Sequence, residues 1–95
     1  MNFGRFEVEP GPSDLGFERY HVDFPNRYGA SIIRGQYSYG GPEGLWELGV
    51  LLDQRLCRDS PLNEDVFGHL TEAQVEELLT EIEAFPALKE VQNEA

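Results

Sequence analysis

A chain of 95 residues has room for one domain, and its 40% apolar and 26% charged residues form an ordinary globular composition. No apolar run approaches the roughly 18–20 residues of a membrane-spanning helix, and Met1-Asn2-Phe3-Gly4-Arg5 lacks the basic start and apolar stretch expected of a signal peptide. The single cysteine, Cys57, cannot form an internal disulfide, so a reducing cytoplasm is the expected compartment.

The net charge of −11 is unevenly spread. Residues 1–58 hold eight acids against six arginines, net −2, whereas 59–95 hold ten acids against one lysine, net −9. Such a field repels nucleic-acid phosphates and anionic lipid and attracts basic surfaces. Direct nucleic-acid or membrane binding is therefore not expected. Solubility alone would also account for the charge.

In chain order, Phe6 and Val8 alternate with Arg5, Glu7 and Glu9, which predicts a short strand with one apolar face. Pro10 to Asp14 reads as a loop. From Phe17 to Phe24 the alternation resumes, with Tyr20, Val22 and Phe24 on one side and Arg19, His21 and Asp23 on the other. Pro25-Asn26 closes that strand, and Tyr28 to Gly35, with Ile32-Ile33, supplies the next. Gly40-Gly41-Pro42-Glu43-Gly44 calls for positive φ angles or a close approach of backbones. Leu45 to Leu52 then puts Trp46, Leu48, Val50 and Leu52 on one face. Asp53-Gln54 can act as a two-residue hairpin turn into Arg55 to Arg58, although glycine is usual in the second position.

Asp59 to Asp65 reads as a loop leading to the helix cap. Thr71 and Gln74 form a capping box, flanked by Leu70 and Val75 as a hydrophobic staple. Val75, Leu78, Leu79, Ile82 and Phe85 then recur at helical spacing until Pro86. One amphipathic helix needs a sheet to bury its stripe. The expected fold is α+β: a small antiparallel β-sheet of three to five strands with one C-terminal amphipathic helix on one face. Residues 1–86 form the domain and 87–95 a flexible tail.

No catalytic or metal constellation emerges. Asp59 to Asp65 fails as a calcium loop, because proline falls at the third position and no glutamate closes the span. His21, His69 and Cys57 lack the paired spacing of a zinc site, and Cys57 is expected in the core. The serines sit in no nucleophile pattern, and the glycine-rich turn lacks the lysine and helix of a phosphate loop. No enzyme, cofactor or metal is expected. Four tyrosines fall between residues 20 and 39. Together with Trp46 and nearby Arg19, Arg27 and Arg34 they could form a recognition surface or simply be core. Trp46 especially reads as core, and Tyr37 and Tyr39, flanked by serine and glycines, as more exposed than Trp46.

The helix carries Glu72, Glu76, Glu77, Glu81 and Glu83 and no cation. At about 100° per residue, Glu72, Glu76 and Glu83 share one flank and Glu77 and Glu81 the other. Glu72/Glu76 and Glu77/Glu81 are like-charge pairs at i,i+4, each costing about 0.2–0.5 kcal/mol in an isolated helix. A solvated face and a surface matched to a basic partner both account for them.

Tyr28 to Gly35, Tyr39 to Leu48, Cys57 to Pro61 and Asp65 to Glu72, in this order, resemble small uncharacterised acidic proteins of bacteriophages and prophages. The resemblance spans roughly residues 28–85 and departs at Asp53-Gln54, where such proteins tend to read Asp-Gly. It carries no activity. It implies a phage-related setting in which small acidic proteins bind and block a host factor, some of them imitating nucleic acid.

The expectation is thus a non-enzymatic, inhibitor-like or DNA-mimic protein docking on a basic, nucleic-acid-binding host protein surface. Glu72, Glu76 and Glu83 are the expected partner-binding residues, with Asp59, Glu64 and Asp65 in support. The alternative is a self-associating accessory domain, dimerising through a free strand edge or the tyrosine-rich region.

Overall fold

Alternating side chains build a broad sheet, and an amphipathic helix packs on one of its faces. The structure, a computed structural model, describes residues 1–11, 16–57, 60–62 and 64–87. These residues form strands β1 (Asn2–Phe3), β2 (Phe6–Glu7), β3 (Glu9–Pro10), β4 (Glu18–Asp23), β5 (Tyr28–Arg34), β6 (Trp46–Leu52), β7 (Arg55–Leu56) and β8 (Val66–Leu70), then helix α1 (Glu72–Glu83). Strands β1 and β2 make a separate antiparallel hairpin. The main sheet is antiparallel throughout and runs β3-β4-β5-β6. The remaining edge of β6 is shared, with β8 along Trp46 to Gly49 and β7 along Leu51-Leu52.

The α+β class is as expected. Six strands contribute to the main sheet, but β7 and β8 share one edge of β6, so it is five strands across, within the three to five read from the sequence. The segment ahead of the helix cap is strand β8 rather than loop alone. Its pattern hides it: β8 shifts register against Trp46–Leu48, and His69 has a left-handed φ of 56°, so the period-2 signal is broken. Pro10, expected in a loop, pairs with Tyr20 at the sheet edge, where a missing donor costs nothing. The expected tail lies outside the described residues beyond Ala87.

The core lies between one sheet face and α1. Strand β5 contributes Tyr28, Ala30 and Ile32, and β6 contributes Trp46, Leu48 and Val50. Val75, Leu79, Ile82 and Phe85 come down on them from the helix. Each fully buried Val, Leu, Ile or Phe among them contributes about 1.5–3 kcal/mol by leaving water, and Ala30 less. The β1–β2 hairpin adds Phe3 and Phe6, with the Phe3 ring edge-on to Trp46 at 5.1 Å. Cys57 is buried, as expected.

Both helix ends are held. Thr71 Oγ1 accepts from the Gln74 N–H at 3.2 Å, and Gln74 Oε1 accepts from the Thr71 N–H at 2.9 Å. At the other end, Asn26 Nδ2 donates to the carbonyls of Ile82, Glu83 and Phe85, at 2.9, 3.2 and 3.0 Å. Asn26 Oδ1 meanwhile accepts from the Tyr28 N–H. One buried amide therefore ties the β4–β5 turn to the end of α1.

The glycine-rich turn fulfils its reading. Gly40 has φ 91°, and a Cβ on Gly41 would fall 1.7 Å from the Gly35 carbonyl oxygen. Asp53 and Gln54 both take left-handed φ angles, 53° and 69°, so the two-residue hairpin forms without glycine. Arg27 braces it: its Nε donates to Asp53 Oδ1 at 2.9 Å, and its carbonyl accepts the Asp53 N–H.

Candidate functional site

Because α1 buries Val75, Leu79 and Ile82, its glutamates are left on two flanks with different surroundings. One flank leans on the β1–β2 turn. There Glu83 accepts a 2.7 Å hydrogen bond from Arg5, and the half-buried Glu76 rests its carboxylate against Gly4. The bond to Glu83, helped by the fields of Glu83 and Glu76 against some desolvation, raises the Arg5 pKa above its ordinary value. Glu72, in the first turn, is exposed, as are Glu77 and Glu81 on the other flank. None of these three has an ion-pair partner among the described residues.

The structure therefore divides the expected docking residues. Glu72 is free to meet a partner, Glu76 and Glu83 are engaged by the hairpin, and Asp59 lies outside the described residues. Glu64 is exposed and Asp65 half-buried at the far end of β8 from the helix cap, six to seven residues and roughly 20 Å away along the strand. They do not join the helix glutamates in one patch. Glu77 and Glu81, not among the expected contacts, are exposed and, of the helix glutamates, lie furthest from the buried stripe. The buried stripe alone could have ranked them, since both lie away from Val75 and Ile82 on the helical wheel.

A second feature lies on the opposite, uncovered face of the sheet. Register sets Glu9, His21, Ser31, Gly49 and Val66 in one row across β3, β4, β5, β6 and β8. A shallow hollow of about 300 Å³ opens here, lined by Gly11, Arg19, His21, Asp23, Ser31, Leu51 and Gln54. Glu9, His21 and Ser31 are cross-strand neighbours, and no hydrogen bond joins their side chains among the described residues. The alternation of β4 had already put Arg19, His21 and Asp23 on this side; that they border a hollow was not visible from one strand.

Among the described residues, no three His, Cys, Asp or Glu side chains are grouped to hold a metal ion. No helix there is long and apolar enough to cross a membrane. Comparison with protein-family models, with curated proteins and with solved structures finds no match for this chain.

Proposed function

We propose that this chain is a non-enzymatic acidic binding protein, phage-related in setting. It docks α1 on a basic surface of a host protein that handles nucleic acid, as a mimic or inhibitor. One observation carries this reading. Arg5, Arg27 and Arg34 are committed to Glu83, Asp53 and Glu18, while Glu72, Glu77 and Glu81 stand exposed without a counter-charge among the described residues. Glu77 and Glu81 repel each other at i,i+4 and gain nothing from the helix dipole, so folding alone does not favour them.

The test compares the tagged protein with its Glu72→Lys, Glu77→Lys, Glu81→Lys variant in capture from bacterial lysate. A basic protein held at low salt and released at high salt is expected with the native chain. The variant should retain less than about a tenth of it while staying folded, its melting temperature shifted by only about a few degrees. Equal capture by both proteins would overturn the reading. The rival, self-association, draws on the open sheet face, where Leu56 is 47% exposed beside the hollow. A salt-insensitive dimer in light scattering, dissociated by Leu56→Glu, would favour it.

A further inference from the structure

Resting on that reading, we infer that the Gly35–Gly44 loop is the aromatic anchor of the same docking surface. Its preferred partner is an arginine-rich protein segment rather than a lysine-rich one. Tyr37 and Tyr39 are 75% and 65% exposed, the largest exposures among the described large hydrophobic residues. They flank the buried Ser38, whose hydroxyl donates to the Gly35 carbonyl and accepts from the Gly35 N–H. Tyr39 is fixed on both backbone groups: its N–H donates to Glu47 Oε1 at 2.9 Å, and its carbonyl accepts from the His69 N–H at 3.0 Å. Two rings held outward on so bonded a loop lose little freedom on binding.

Position joins this loop to the acidic helix. Tyr39 packs its Cβ against Gly68, where an added Cβ would come within 2.5 Å of it. The loop thus sits beside the end of β8, directly ahead of Glu72. Glu43, at its tip, is exposed as well. Ring faces beside carboxylates suit a guanidinium, which stacks on aromatics and pairs with acids through its planar fork; an ammonium does this less well. The chain uses the same contact internally, with the Arg34 guanidinium 4.1 Å from the centre of the Trp46 ring and paired to Glu18.

The experiment titrates the full chain with oligoarginine and oligolysine peptides of equal length at two salt concentrations. The native chain should bind oligoarginine about fivefold more tightly. Y37L/Y39L, which keeps apolar bulk and loses the ring faces, should abolish that preference and leave oligolysine binding unchanged. Y37F/Y39F should keep it. Binding of both peptides without a preference, or a preference that survives Y37L/Y39L, overturns the inference and leaves acidic docking standing. Binding of neither peptide overturns the reading beneath it.

Discussion

The two faces of the main sheet come from one alternation, yet they have opposite fates. On the covered face, Trp46, Leu48 and Val50 meet Ile32, Ala30 and Tyr28 in register, and the helix stripe seals them. On the open face the same strands present Glu47, Gly49 and Leu51 opposite Ile33, Ser31 and Gly29, with no helix above them among the described residues. The buried core is concentrated on one side, and the other presents a mixture of small, polar and partly exposed apolar side chains, Leu51 among them, around a hollow. In a domain this small, one helix can cover only one face.

Trp46 is the sharpest place to test that division. It is 1% exposed and touches Phe3, Tyr20 and Arg34. Trp46→Ala should cost about 3–5 kcal/mol in urea denaturation, enough to unfold much of a marginal domain. Trp46→Phe should cost clearly less, because the indole Nε1 has no hydrogen-bond partner to lose among the described residues. His21→Ala and Ser31→Ala, on the open face, should each stay within about 0.5 kcal/mol of the native chain. A loss of several kcal/mol at His21 would break the comparison and make the open face structural.

Asn26 ranks next, because it links the covered face to the end of the helix. Asn26→Ala removes the donor shared by three helix-end carbonyls and the acceptor for Tyr28, at an expected cost of about 1–3 kcal/mol. Asn26→Asp keeps that acceptor but turns a carboxylate toward the negative end of the helix, so it should be at least as damaging. If Asp were tolerated better than Ala, the contact with Tyr28 would outweigh the helix cap.

These residues also show where the sequence was legible. The helix, its capping box and its buried stripe could be read because each is a local pattern: Thr71 and Gln74 are three residues apart, and Val75 to Ile82 repeat at helical spacing. Trp46 and Cys57 were placed correctly by alternation. Asn26 looked only like a strand terminator, since its partners lie 56 to 59 residues away. Strand β8 was hidden by its irregular register and by the left-handed His69. The acidic character of α1 was plain, but which glutamates remain outward depended on a hairpin whose Arg5 reaches across the chain to Glu83. Pairing over such distances leaves no periodic trace.

The smallest expected effect lies at the Asp53-Gln54 turn, where β6 leaves the covered face and Gln54 borders the hollow. The hydrogen bond from Arg27, with its charge in support and desolvation opposing, holds the Asp53 carboxyl below its ordinary pKa. A depressed carboxyl stabilises the fold fully above the unfolded value, about 3.9, and loses that contribution as pH falls through the lower folded value. Asp53→Asn removes the charge, and asparagine still accepts the left-handed φ of 53° that alanine would resist. Thermal melts between pH 7 and pH 2 should show the variant slightly less stable at neutrality, with a shallower fall on the acid side. The gap should stay small because the pair is exposed to solvent. An identical acid slope in both proteins would mean that Arg27 stabilises the turn through its carbonyl bond to the Asp53 N–H, and that the charge adds nothing.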